Sequence, residues 1–282
     1  MAARKASGKK DNTPAKKDES AVVPVSDFSE FGDADGFEGT DQDDFATPIL
    51  KCLQPGSPSI MAGADGHKVG MVINTSTSEV FPGEGDDRIV FIPSCTTHEV
   101  LEWKPNNGGL VGRHTMDSAE WAESKEKCEF PKFKRGDNDM VETYSVYGVV
   151  VGAGGEITPC MIPFSSTGIK GYKNFMARAR SIQDRNGHGK MVPAKLFSRR
   201  YVLGVAKEKN EKGTFFNFNI TLLGGNKNTA LLDTSDAEQH AWVQAAHGMI
   251  QMVREGELKV DYEKGGRTDA GPADDGSAAP PL

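Results

Sequence analysis

The sequence predicts a mainly β body of α+β class, with one basic helix and one C-terminal helix, between unstructured ends. Three observations predict it. Apolar and polar residues alternate in short runs separated by Gly, Pro and Asn turns, the pattern of half-buried strands. Two longer segments carry a 3.6-residue apolar period, the pattern of helices packed on one face. Composition shifts at both ends: the chain of 282 residues is only 37% hydrophobic and holds 32 Gly and 15 Pro, so part of its length lacks the apolar surface needed to fold.

Residues 1–45 read as a disordered arm, basic and then acidic. The first twenty residues hold six basic and three acidic side chains and no hydrophobic period. Residues 26–45, SDFSEFGDADGFEGTDQDDF, hold eight acids, no base, and Phe28, Phe31, Phe37 and Phe45. Acidic-aromatic segments of this kind dock on basic surfaces or partner grooves, and we expect 27–44 to compete for a basic groove or to bind a partner. The calcium-loop pattern ending in a bidentate Glu is absent there.

The folded body spans 46–263. ILKCLQPGSPSI starts apolar and breaks at Pro55-Gly56 and Pro58, a turn signal. KVGMVINTSTSEVF reads as two short strands about a turn at Asn74–Ser78. RIVFIPSCTTHEVLEWKP is one long extended segment marked by Ile89, Phe91, His98, Val100 and Trp103, with an interruption or a bulge expected at Pro93. A short helix is expected around Ser118–Lys127, then a loop through Pro131 and Gly136. ETYSVYGVVVGAGGEITPCMIPF reads as a hairpin about a Gly-rich turn.

The helix of the basic zone follows. Ser166 or Thr167 is the expected N-cap. Ile169, Tyr172, Phe175, Met176, Ala179 and Ile182 fall on one side of the wheel, with Lys170, Lys173, Arg178, Arg180 and Arg185 on the other. Gly187 is the expected stop. FSRRYVLGVAKEKNEKGTFFNFNITLLG is a second hairpin turning at Asn210–Gly213. The last helix opens with a capping-box pattern, Ser235 with Glu238, buries a stripe from Trp242 to Val253, and stops at Gly256. Residues 264–282 read as a flexible acidic tail.

Several chemistries are excluded by pattern. Cys52, Cys95, Cys128 and Cys160 form no CxxC pair and no disulfide framework, which suits a reducing compartment. No apolar run approaches the roughly 18 residues of a membrane span. Gly152–Gly155 lies in a hairpin turn and opens no helix, so it is no dinucleotide fingerprint. Gly187-His-Gly-Lys190 echoes a phosphate loop, but Met191 replaces its Ser/Thr. No nucleophile elbow, zincin motif or convergent metal-ligand set is seen. We therefore expect no enzyme, no cofactor and no metal.

The charge pattern points elsewhere. Residues 166–212 hold twelve Lys/Arg against three acids, in a chain of formal net charge −7. Such a zone with interleaved aromatics is the footprint of a polyanion-binding surface that also stacks bases. The candidate phosphate contacts are Lys170, Lys173, Arg178, Arg180, Lys195, Arg199 and Arg200. The candidate stacking rings are Trp103, Tyr172, Tyr201 and Phe216. Strand alternation places Arg199 and Tyr201 on one face and Arg200 on the other.

Four phrases together resemble a group of bacteriophage single-stranded-DNA-binding proteins. They are GFEGTDQDDFATPILKCLQPGSPSI at 36–60, VGMVINTSTSEVF at 69–81, IPSCTTHEVLEWKP at 92–105, and IPFSSTGIKGYKNFMARA at 162–179 with the following VPAKLFSRRYVLGVAKEKNEKGTFFNFNI. The resemblance covers residues 36–255 and rests on diffuse phrases, not catalytic signatures. It implies an oligonucleotide-binding-like barrel with insertions, one or two helices and an acidic tail. Short strands with Gly/Pro turns suit such a five-stranded barrel. The tail here departs from the pattern: Asp269–Leu282 holds three acids and no terminal aromatic. The implied function is non-catalytic binding of single-stranded DNA in phage replication or recombination, in the cytoplasm of the infected host, without a membrane. Phage or host replication proteins and a second copy of the chain are the further partners it suggests. The competing expectation is a phage structural or assembly protein whose basic patch meets a partner.

Overall fold

The computed structural model describes residues 46–83, 89–105, 108–128, 132–210 and 213–262. The basic arm, the acidic segment 27–44 and the acidic tail lie outside these residues. In chain order the elements are β1 (Leu50–Cys52), α1 (Pro58–Met61), β2 (Val72–Asn74), β3 (Val80–Phe81), β4 (Ile89–Trp103), β5 (Leu110–His114), α2 (Ala119–Lys127), β6 (Phe133–Arg135), β7 (Asn138–Val151), β8 (Ile157–Ser165), α3 (Ile169–Arg180), β9 (Gln183–Arg185), β10 (Met191–Pro193), β11 (Tyr201–Asn210), β12 (Gly213–Leu222) and α4 (Ala237–Glu255). The mainly β class and the two principal helices are as the patterns predict.

The two long alternating segments, β4 and β7, pair along their whole length and form the spine of a seven-stranded antiparallel sheet. Its path runs β12-β11-β4-β7-β6, with β5 also on β4 and β8 also on β7. The register shifts between Pro93 and Cys95, because Pro93 cannot donate to a ladder. The bulged Ser94 is buried, and its hydroxyl donates to the Ala246 carbonyl of α4. The bulge thus fixes a helix as well as bending a strand.

That bend curls the sheet. Strands spaced about 4.8 Å apart would put β12 and β8, four steps apart on the path, about 19 Å from each other in a flat sheet. Instead Phe164 of β8 and Phe218 of β12 meet edge to face at 6.0 Å. No closed barrel is found among the described residues, since β8 and β12 share no ladder. The seam is bridged in two ways. Residues 48–54 cross it as a strap: Met161 of β8 donates to the Pro48 carbonyl, and Gln54 bonds both the N–H (2.9 Å) and the carbonyl (2.6 Å) of Phe216 in β12. Helix α3 lies over the rest, so close at Gly171 that a Cβ there would sit 2.9 Å from the Phe218 carbonyl oxygen.

The concave face encloses Phe91, Val146, Ile162, Phe164, Leu203, Phe218 and Ile220 beneath Tyr172 and Phe175 of α3. The opposite face packs Ile92, Leu101, Trp103 and Met161 against Ala246 and Met249 of α4. A third, small cluster sets Trp121 of α2 on Val100 and Met140. The strap closes the seam with two side-chain hydrogen bonds, one of them to a carbonyl that a truncated residue would leave unpaired. Gln54→Ala is therefore expected to lower stability by about 1–3 kcal/mol, read from the urea midpoint.

Three local expectations shift. The N-cap of α3 is Gly168, with no side-chain cap; Ser166, at φ 47, is spent on the 3-10 turn that carries the chain out of β8. The helix ends at Arg180, before Gly187, because the chain enters the β9–β10 hairpin and Gly187 lies in its turn. Asp236, not Ser235, caps α4 by accepting from the Gln239 N–H, while Gly256 ends it at φ 73.

Candidate nucleic-acid interface

The outer side of α3 carries Lys170, Lys173, Arg178 and Arg180, all exposed. The sequence puts them there because Tyr172, Phe175 and Ala179 take the buried side of the same helix. The β9–β10 hairpin adds exposed Arg185 and Lys190, and Lys195 follows it, also exposed. Among the described residues none of these seven has a carboxylate within ion-pair distance. Lys170 and Lys173 sit one helical turn apart, and so do Lys173 and Ala177, with Arg180 next along the stripe. The result is a row of uncompensated positive charge on an acidic protein.

Arg199 does not join that row. It is 2% exposed and grips Asp184 with two nitrogens, at 2.9 and 2.5 Å, while donating also to the Lys227 carbonyl and the Ser198 hydroxyl. Those hydrogen bonds hold the Asp184 carboxyl below the usual carboxylate range. Arg199 therefore anchors the hairpin to the body and is spent as a phosphate ligand. Arg200 is half-buried and donates to the Thr229 carbonyl.

Three of the four candidate rings are core residues. Tyr201 is buried and meets Phe175 edge-on at 5.4 Å. Trp103 is buried on the other face of the sheet, against Tyr262. Tyr172 is buried beneath α3. These corrections share one cause: both faces of the curled sheet are packed, the concave one under α3 and the opposite one under α4, and large rings fill them. Phe216 is half-buried, with its ring edge against Gly70. A groove of about 320 Å³ opens beside α3, floored by Phe175, Tyr201 and Leu222 and rimmed by Arg178.

The exposed ring system is one that the sequence patterns did not assign to the site. His98 of β4 faces Tyr144 of β7 in register. Their rings stack at 3.9 Å and 11°. Tyr144 in turn lies 4.6 Å from Tyr172, tilted by 30°. Glu142 locks the pair, with one carboxylate oxygen 2.8 Å from His98 Nε2 and 3.2 Å from the Tyr144 hydroxyl. His98 is exposed. His98 is marked in the sequence only as a strand residue, and only the ladder register brings it to Tyr144.

Farther along β4 the chemistry turns acidic. Glu102, 2% exposed, accepts from Asn138 (2.7 Å), His114 (2.8 Å) and Arg135 (3.3 Å). Burial pushes its carboxyl up, but those donors outweigh burial and leave it below the ordinary Glu range. Glu99 pairs with Arg113 at 2.6 Å on the other face. Among the described residues, no group of three or more His, Cys, Asp or Glu side chains is placed to hold a metal ion. No described helix is long and apolar enough to cross a membrane.

Comparison with known proteins places nearly all of this body in one group. Residues 16–259 match the family described as Pam3 phage gp34-like protein. The chain belongs to that family. It is a bacteriophage protein, and the match takes in the curled sheet, the basic helix and the hairpin alike. No curated protein and no solved structure matches it. The reading of this phage protein's surface rests on its own residues.

Proposed function

We propose that this phage protein binds single-stranded DNA, without catalysis, in replication or recombination of the phage genome in the host cytoplasm. The observation that carries the reading is the row of exposed cations on α3 and the β9–β10 hairpin of an otherwise acidic chain, none of them ion-paired among the described residues. Such a row neutralises phosphates without reading sequence. With no carboxylate in ion-pair distance among the described residues, these cations can replace the counterions condensed on a strand's phosphates. The negative remainder of the surface repels nucleic acid and confines binding to this stripe.

The test is fluorescence anisotropy of labelled oligo-dT, titrated at several salt concentrations. The logarithm of affinity is expected to fall linearly with the logarithm of salt. Each phosphate contact contributes about 0.7 to that slope on a single strand. Lys170→Gln with Lys173→Gln is expected to flatten the slope by about 1.4, twice that value, and to weaken binding alike for all sequences. A flat salt response in the unmodified protein, or tighter binding to duplex than to single strand, would overturn the reading.

A further inference from the structure

We infer that the His98–Tyr144 stack is a base-stacking platform, and that a bound strand lies with its phosphates on α3 and its bases turned toward β4 and β7. The inference rests on the single-strand reading above and assigns its base-contacting residues.

Four observations carry it. First, the platform is built in advance. His98 and Tyr144 are parallel within 11° at 3.9 Å, and Glu142 holds both polar ends. A locked ring loses little rotamer freedom when a base arrives. Second, one face of the imidazole is taken by Tyr144 while the residue stays exposed. A flat π-system covered on one side and open on the other accepts a base of any kind, since every base has a π-face.

Third, the place is open by construction. Strand alternation puts His98, Val100, Met140 and Tyr144 on one face of the sheet. There α2 covers Val100 and Met140 through Trp121, and α3 covers the sheet beyond Tyr144 through Tyr172. His98 and Tyr144 form the floor between the two helices. Fourth, the charges around that floor are sorted. Tyr172, the next ring in the stack, belongs to α3, whose outer side carries Lys170 and Lys173. On the other side lie the carboxylates of Glu142 and of Glu120 on α2, both partly exposed. Phosphates are drawn to the cations on the outer side of α3, and the Glu142 carboxylate in the floor favours uncharged bases there.

The experiment compares two probes of equal length, oligo-dT and an abasic deoxyribose-phosphate oligomer, on the full chain and on His98→Ala and His98→Phe. The unmodified protein is expected to prefer oligo-dT. His98→Ala is expected to lose about 5- to 150-fold on oligo-dT, the range for removing one base–aromatic stack, and to lose nothing on the abasic oligomer. The salt slope should stay unchanged, because no phosphate contact is removed. His98→Phe keeps a flat ring without the imidazole and is expected to retain the preference for oligo-dT. Thermal melts of the variants show that each is folded. If the unmodified protein binds oligo-dT with normal salt dependence and His98→Ala binds it equally well, the platform is overturned while the single-strand reading stands. If His98→Ala loses equally on both probes, the residue acts on the backbone and the platform is also overturned. If neither probe binds the unmodified protein, the single-strand reading itself fails.

Discussion

Tyr201→Ala is expected to lower the unfolding free energy by about 3–5 kcal/mol, the range for removing a large ring from a packed interior. The ring lies in the concave core, 3% exposed, against Phe175 of α3. It also pairs in register with Phe91 on one side and Leu222 on the other, at the junction of β4, β11 and β12. Its loss removes apolar contacts from three elements at once, and the neighbouring groove beside Arg178 would deepen instead of collapsing. Burial also raises the tyrosine hydroxyl's pKa, so the group stays neutral through the physiological range. Tyr201→Phe is therefore expected to keep most of the stability that Tyr201→Ala loses. Urea denaturation of the two variants measures the difference. A stable Tyr201→Ala with altered DNA affinity would return the ring to the binding surface.

Glu102→Ala is the second change with a large expected effect, about 1–3 kcal/mol, because it leaves the Asn138 and His114 donors without their acceptor. Asn138, His114 and Arg135 all point at one carboxylate that solvent hardly reaches. The same network sets a pH dependence. Its sign follows from the direction of the Glu102 shift, which is downward in the folded chain. The unfolded chain then binds the proton more readily, so stability from this group is complete above the unfolded value of about 4.3. It is lost as pH falls below that value and through the folded one. Denaturant midpoints measured between neutral pH and pH 3 should fall for the native protein. The part of that fall due to Glu102 should be missing from Glu102→Gln, which carries no titrating carboxyl there.

How much of this was legible in the sequence depends on distance along the chain. The hairpins β7–β8 and β11–β12 were legible because turn chemistry and alternation are local. A break in the ladder at Pro93 was legible because one residue dictates it, and the structure makes it a bulge and not an interruption. The short pieces β1, β5, β6 and the β9–β10 hairpin were not, since three to five residues carry too little period to register. The site divided in the same way. Lys170, Lys173, Arg178 and Arg180 could be placed on an outer face from the helical wheel alone. Arg199 and Tyr201 could not be told from site residues, because what buries them is Asp184 fifteen residues earlier and the curl of the whole sheet. His98 and Tyr144 lie 46 residues apart in sequence and meet only through the β4–β7 register.

The strap across the seam has a consequence for how copies of this protein behave toward each other. An edge strand with free N–H and carbonyl groups is a template for pairing with another chain. On β12 the outward groups of Phe216 are occupied by the Gln54 amide. At Phe218, the next outward position, Gly171 of α3 lies against the carbonyl. The stretch that would otherwise recruit a neighbour's strand is blocked twice within three residues. Wherever copies of the chain meet at high local concentration, this stretch of edge offers no open ladder on which to build an intermolecular sheet.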